Sequence, residues 1–441
     1  MTRSSHSFDY DVAVLGGGPA GAAAALALAR RGRRTVVVER ERFPRFHIGE
    51  SLLSTTHDLL VELGLAERMH AAGFPVKRGA LLITADGEVS RDVDFAASRE
   101  IRRPQTWQVR REDFDKLLLD GARAAGAEVF EGRRVESCAF DAAGASVRLA
   151  EGAGAGRELR VRAVVDASGR AGVLARDFGL RRGESRLANV GVFSHFHGVE
   201  PRGDGRAGDI VLVSRRDAGW FWFIPVGGGL TSVGVVLPVA LYRGLAKGSP
   251  EAILRALIDE TPAAAARMRA AERAWPVRVE KDYSYSATAY AGDRWLLAGD
   301  AGSFLDPVFS TGVSIALESG LEAAAALDRA LADGRFAARR FRSFERRQHR
   351  RFVFFRRFVL AFYTPWFRDL FFRPDAPPAI FRGVVTVLAG NWRPSLGSRA
   401  ALAFFFAVVA AQRRLPLVPR LVRRDPEAGF AGADRRRRSP R

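Results

Sequence analysis

The sequence predicts an α/β fold in three parts: a parallel sheet begun at the start of the chain, a mostly antiparallel sheet in its middle, and a helical C-terminal portion. Three observations predict it. Residues 9–39 read strand, glycine-rich turn, helix, strand. Residues 189–285 carry short alternating strands punctuated at 203–208 and 227–229. From about residue 336 the pattern becomes helical and rich in Arg and Phe, broken at Pro365 and at Arg393-Pro394.

The first observation is the most specific. Val12-Ala13-Val14-Leu15 is a short buried strand, and Gly16-Gly17-Gly18-Pro19-Ala20-Gly21 follows at once. Residues 22–31 are an Ala- and Leu-rich helix with Gly32 as its cap, and residues 35–39 are a second strand ending in Glu39. Gly16 permits the tight turn, Gly18 lets a pyrophosphate approach the backbone, and Gly21 lets the helix pack on the sheet. The helix N-terminus offers unpaired N–H groups and partial positive charge to phosphates. Glu39 can accept from ribose hydroxyls and would repel a 2′-phosphate. The unit is a dinucleotide-binding one.

The chain has 441 residues, 47% hydrophobic and 27% charged, which suits a folded protein of several parts. One cysteine, Cys138, leaves no internal disulfide, so a reducing, cytoplasmic setting is expected. No apolar run opens the chain, and the apolar runs at 358–367 and 400–411 are short of the ~20 residues a membrane span needs. The net charge of +20 suggests nucleic acid at first sight. Its arginines are spread throughout, however, and no base-stacking module accompanies them. No nucleic-acid partner and no metal site is expected.

In chain order, residues 42–51 form a Ser- and Glu-containing loop, followed by a helix at 52–69. Gly73-Phe74-Pro75-Val76-Lys77-Arg78-Gly79 leads into a hairpin over 80–95, and 114–125 is a helix. Strands follow at 129–149 and 160–165, the latter running into Asp166; residues 154–156 are a loop. Within the antiparallel region, residues 250–269 read as one helix. Trp220, Trp222 and Ile224 share one strand face, which on composition alone is a core aromatic strand. Residues 295–298 form a strand ending at Gly299-Asp300, and a long helix spans 313–332. A basic helix covers 339–357, and 435–438 reads as a frayed tail. These elements organise the chain as a nucleotide-binding part at 8–188 with inserted strands at 78–110, a sheet at 189–285, a return to the first part at 286–335, and a helical subdomain at 336–441.

Four blocks together resemble the flavin-dependent halogenases, over about residues 8–375. They are the glycine turn, Arg45-Phe46-His47-Ile48-Gly49-Glu50-Ser51, Trp220-Phe221-Trp222-Phe223-Ile224-Pro225, and Phe304…Pro307…Ser310-Thr311-Gly312. The tryptophan motif and the last block are the specific ones. The resemblance implies a Rossmann-type FAD-binding domain of the flavin monooxygenase fold, an antiparallel-sheet substrate domain and the C-terminal helical subdomain. In the family, reduced FAD and oxygen give a flavin hydroperoxide, a bound halide is oxidised to hypohalous acid, and a lysine passes the halogen to an electron-rich aromatic or enolic carbon. The implied FAD residues are Gly16, Gly18, Pro19, Ala20, Gly21, Glu39, Arg40, Ser51, Arg111, Asp300, Pro307, Gly312 and Val313. Chloride or bromide is placed at the N–H groups of Thr311 and Gly312. Lys77 is placed at the end of the tunnel with Ser310 beside it, and Trp220, Trp222, Ile224 and Pro225 wall off the flavin. Halogenases of free tryptophan carry a glutamate where this chain has Phe309, so a phenol, a pyrrole or a carrier-tethered acyl group is the expected acceptor.

No second glycine-rich fingerprint is visible, so a separate NAD(P)H flavin reductase is expected to supply reduced FAD. The Arg-rich aromatic C-terminus also admits peripheral membrane contact. Rival readings are an FAD-dependent aromatic hydroxylase on the same fold, which would turn over without halide, and a geranylgeranyl-reductase-like enzyme, which would not need Lys77.

Overall fold

The computed structural model describes residues 8–150, 157–217, 219–245, 248–281, 284–372 and 378–420. The loop read at 154–156 and the tail read at 435–438 lie outside them.

The opening unit forms as its pattern dictates. Strand Tyr10–Leu15 lies parallel between Thr35–Val38 and Glu158–Asp166, and Trp295–Leu297 and Glu128–Phe130 extend the parallel sheet on either side. Helix Pro19–Ala29 crosses over and is buried along almost its whole length, which suits its nearly all-alanine-and-leucine surface. It packs against helices Arg111–Ala124 and Gly312–Asp333. The approach is close: a Cβ on Gly320 would lie 2.3 Å from the Ala20 carbonyl oxygen. Antiparallel strands Ala145–Leu149 and Val135–Phe140 continue from Glu158–Asp166.

The second sheet runs Glu272–Arg273, Asn189–His197, Leu230–Pro238, Trp220–Gly227, Ile210–Ser214, Gly79–Ile83, Ser90–Asp94, with Arg278–Lys281 also on Asn189–His197. The two strands inserted early in the chain thus belong to this sheet. One of them, Gly79–Ile83, pairs with Ile210–Ser214 in parallel. Side-chain alternation gives the sheet two apolar faces. Phe221, Phe223, Val233 and Val235 meet Ile253, Leu254 and Leu257 of helix Pro250–Asp259 on one side. On the other, Phe193, Trp220, Trp222 and Ile224 meet Phe355, Phe358, Phe362, Phe367 and Phe371 of the C-terminal helices. At about 1.5–3 kcal/mol per buried side chain of this kind, those helices are part of the core rather than an appendage.

Several elements differ from the sequence reading. The helix expected at 52–69 is two, Ser54–Glu62 and Ala66–Ala71, divided at Gly64, whose φ is +60°. The break lets both Leu63 and Leu65 bury on one side, whereas in a continuous helix residues two apart point nearly opposite ways. The helix expected at 250–269 is also two, Pro250–Asp259 and Pro262–Arg267. Pro262 lacks an N–H and holds Thr261 in an extended conformation. Strand Tyr285–Ala287 leaves the large sheet and pairs instead with Arg181–Gly183 and Ser303–Phe304. The basic helix starts at Arg342 and reaches Phe362, after a tight turn at Ala338–Phe341. Pro365 opens helix Pro365–Phe371, and helices Pro378–Leu388 and Leu396–Arg414 flank the Arg393-Pro394 break. No helix among the described residues is long and apolar enough to cross a membrane.

Candidate active site

Between the two large sheets lies a cavity of about 1850 Å³. That is larger than the ~300–1,000 Å³ typical of a small-ligand pocket, and a dinucleotide needs such room. Its walls include Gly16, Gly18, Pro19, Ala20, Glu39, Arg40, Ser51, Arg111 and Asp300 from the nucleotide-binding side. From the other side come Trp220, Trp222, Ile224, Pro307, Ser310, Gly312 and Val313.

The glycines of the turn do different jobs. Gly16 has φ +99°, and a Cβ there would lie 2.5 Å from the Ala167 carbonyl oxygen. A Cβ on Gly21 would lie 1.9 Å from the Gly16 carbonyl oxygen. Both glycines are demanded by the protein's own packing. At Gly18 the nearest atom to such a Cβ is an Arg45 nitrogen at 3.5 Å, so the space beside it is free for a phosphate. Glu39 is buried and accepts from the N–H groups of Gly17 (2.7 Å) and Glu41 (2.8 Å). It therefore fixes the turn, and its oxygens keep lone pairs for sugar hydroxyls. Arg40 is exposed and pairs with Glu41 at 3.2 Å. These residues fit FAD.

Arg111 acts through the loop at 46–51. Its guanidinium grips Asp115 at 2.8 and 2.9 Å and donates to the carbonyl oxygens of Ile48 (2.8 Å) and Gly49 (3.3 Å). Asp115 also takes Arg45 at 3.0 Å, and these cations hold its carboxyl below the usual range despite burial. Asp300 lines the cavity, and desolvation pushes its pKa up to about 6. The Asp300 carbonyl accepts from the Tyr285 hydroxyl.

Ser310 has φ +55°, a left-handed conformation rare outside glycine, and it turns the chain sharply into helix Gly312–Asp333. The first N–H groups of that helix have no intrahelical partner and carry the positive end of its dipole. Apart from its own helix and chain neighbours, nothing lies within 4 Å of a Cβ position on Gly312, so there is free space beside this helix end. Thr311, just before the helix, is buried.

Lys77 is almost fully buried. Its Nζ donates to Ser51 Oγ and to the Leu52 carbonyl, both at 2.8 Å, and lies 5.3 Å from the centre of the Phe95 ring. Burial brings its pKa down to about 7. It stands behind the cavity wall rather than in it, and Ser51 is the wall residue between. The hydrogen-bond partners of Lys77 are thus Ser51 and Leu52, and among the described residues it makes no hydrogen bond to Ser310. Phe309 likewise points away from the cavity, into edge contacts with Phe362 (5.7 Å) and Phe371 (6.3 Å).

The tryptophan face is held at its polar edges. Trp222 Nε1 donates to Ser232 Oγ at 3.1 Å. Trp220 Nε1 donates to Tyr363 at 3.0 Å, and Tyr363 donates to Asp306 Oδ2 at 2.8 Å, an oxygen that Asn189 also reaches at 2.8 Å. Arg368 adds bonds to the carbonyls of Arg215 (2.9 Å) and Gly219 (3.0 Å), just before the strand. Pro225 sits at a bulge near the strand's end and does not line the cavity.

The sequence reading missed Tyr363, Asp306, Asn189 and the pair Glu50–His195. His195 Nε2 and Glu50 Oε1 are 2.6 Å apart, both residues are buried, and Glu50 lines the cavity. Glu50 was visible within its motif. The histidine lies far along the chain, on the sheet face shared with Phe193, and nothing local marks it.

Comparison with known proteins bears on the chemistry. A family model described as FAD binding domain matches residues 9–351. The chain is 35% identical over 326 residues to a 1H-pyrrole-2-carbonyl-(peptidyl-carrier protein) brominase of Pseudoalteromonas luteoviolacea, covering 73% of this chain and 78% of that one. It is 33% identical over 358 residues to the corresponding chlorinase of Pseudomonas fluorescens, covering 76% and 80%. Among solved structures, the myxobacterial chondrochloren halogenase CndH aligns with TM-score 0.75 and 31% identity over 95% of both chains. A flavoprotein/dehydrogenase from Cytophaga hutchinsonii aligns with TM-score 0.84 and 31% identity over 92% of this chain and 98% of that one. The family match over most of the chain and relatives of this identity and coverage agree, and the chain belongs to the flavin-dependent halogenases.

Proposed function

We propose that this halogenase acts on an electron-rich aromatic acyl group tethered to a carrier protein, and that Lys77 passes the halogen. The observation that carries the lysine's role is its burial against Ser51 at the cavity wall, with a pKa of about 7. When bound, reduced FAD supplies oxygen activation and the oxidation of halide to hypohalous acid. The N–H groups of Thr311 and Gly312 hold the halide. Asp300 and Glu39 accept from the cofactor's hydroxyls, and Gly18 gives its phosphates room. Neutral Lys77 takes halogen from hypohalous acid with release of water, forming a nitrogen–halogen bond. The acceptor carbon then takes the halogen, and its ring proton returns to the nitrogen. Arginine could not do this, because a guanidinium stays protonated.

The tethered acceptor is supported by the named substrates of the two curated relatives. The basic helix Arg342–Phe362 exposes Arg342, Arg346 and Arg350, none with an ion-pair partner among the described residues, and would steer an acidic carrier. Reduced FAD would come from a separate NAD(P)H flavin reductase. Peripheral membrane contact is the second reading of the same end, favoured by exposed Leu396, Phe404, Leu415 and Leu417. The test supplies reduced FAD, oxygen and bromide with one aromatic acyl group, free or carrier-tethered, at two ionic strengths. Tethered substrate should be preferred, and added inert salt should weaken that preference. Equal turnover of the free acid would remove the carrier, and sedimentation with anionic vesicles would favour the membrane.

A further inference from the structure

Gly234 lies mid-strand in Leu230–Pro238, directly opposite Trp222 on one neighbouring strand and Phe193 on the other. Glycine weakens a strand, so its presence there calls for a reason. Conformation is not the reason, because its φ is not among the positive ones. Space is. A Cβ on Gly234 would lie 2.3 Å from Trp222 Cζ2, 2.5 Å from Trp222 Cη2 and 2.5 Å from Phe193 Cβ. The indole therefore lies flat across the bare backbone. Its far edge reaches Gly191 on the next strand, where a Cβ would stand 3.6 Å from Trp222 Cη2. Its Nε1 is anchored to Ser232, two residues before Gly234 on the same face.

We infer that Gly234 is a specificity-determining position: its missing side chain lays the Trp222 indole flat as a wall of the flavin cavity and keeps the passage beside it open. The inference rests on the reading that oxidised halogen travels along this cavity toward Lys77. Any side chain at 234 must lift the indole off its bed, break the bond to Ser232 and push the ring into the cavity that Trp222 lines. Oxidising equivalents made at the cofactor would then be lost as hydrogen peroxide or free hypohalous acid instead of reaching the acceptor.

The experiment compares wild type, Gly234→Ala, Trp222→Phe and Trp222→Phe/Gly234→Ala. For each, halogenated product per reduced FAD oxidised is measured, together with far-ultraviolet circular dichroism of the apoprotein. Trp220 and Trp222 have ring centroids 5.9 Å apart at 51°, so their coupled transitions report the indole's pose without cofactor. Gly234→Ala should oxidise reduced FAD at close to the wild-type rate. Its product yield per FAD should fall by up to about a hundredfold, what a misplacement of about 1 Å can cost, and the tryptophan couplet should change. The shorter phenyl ring removes the contact with the indole and leaves the one with Phe193 Cβ, so the double variant should recover most, not all, of the Trp222→Phe yield. Unchanged yield and couplet in Gly234→Ala would overturn the inference. So would a double variant that stays as impaired as Gly234→Ala, since the contact with Phe193 rather than the indole would then account for the glycine. If Gly234→Ala does not fold, recovery of folding and of most of the Trp222→Phe yield in the double variant supports the inference, and failure to recover overturns it. A wild type that halogenates no acceptor would instead strike the underlying reading.

Discussion

Replacing Lys77 by arginine keeps a cation and removes an amine. Burial lowers the Lys77 pKa from its ordinary 10.5 to about 7. At 1.36 kcal/mol per unit, that is about 5 kcal/mol in favour of the neutral amine inside the folded protein. The unfolded chain therefore binds more protons than the folded one between about pH 7 and 10.5, and this group's contribution to stability is lost as pH falls toward 7. Two consequences follow from the same shift. Halogenation should rise with pH through about 7, while oxidation of reduced FAD should not share that limb. Lys77→Arg should place a larger, permanently charged group against Ser51 and Leu52, and should halogenate no better than Lys77→Met. Both variants should still consume reduced FAD. The assay follows reduced-FAD oxidation and halogenated product in the same reaction across pH. Near-native halogenation by Lys77→Arg would refute the amine mechanism. Loss of FAD oxidation in both variants would make Lys77 a cofactor-site or structural residue.

Gly18→Val should fold and fail to bind FAD, whereas Gly21→Ala should lower the melting temperature sharply, because its Cβ meets the Gly16 carbonyl; titration of FAD and thermal melts separate the two. Tyr363→Phe leaves Trp220 Nε1 unpaired and removes one donor from Asp306, and should cost about 1–3 kcal/mol in denaturant titrations. Asp300 carries a raised pKa of about 6, so its contribution to apoprotein stability is present below the ordinary carboxylate range and lost as pH rises through 6. Asp300→Asn apoprotein should accordingly gain on wild type in melting temperature at pH 7, with the gain shrinking in acid. Free tryptophan should be a poor acceptor beside a tethered aromatic acyl group; efficient chlorination of free tryptophan, followed by mass spectrometry, would count against the proposed acceptor.

What could be read from the sequence was local. The nucleotide-binding unit was legible because turn, helix and both strands are contiguous and each glycine has its own steric reason. Both divided helices were misread because periodicity continues across Gly64 and Pro262 while the backbone does not. The parallel pairing of Gly79–Ile83 with Ile210–Ser214 joins segments far apart in the chain, which no local pattern announces. The same holds within the site. Lys77 was placed by its segment's resemblance to the family, but its burial and its bond to Ser51 depend on a loop pinned by Arg111 from another element. Tyr363 and Asp306 read as unremarkable helix and loop residues until the fold brings them to Trp220.

The most direct measurement is mass spectrometry of one carrier-tethered aromatic acyl group after incubation with reduced FAD and oxygen, with and without bromide. Wild type should give a product bearing the bromine isotope doublet only when bromide is present, and Lys77→Arg should give none while oxidising the same amount of reduced FAD. A hydroxylated product formed equally well without halide would contradict the assignment of halogenation to this site.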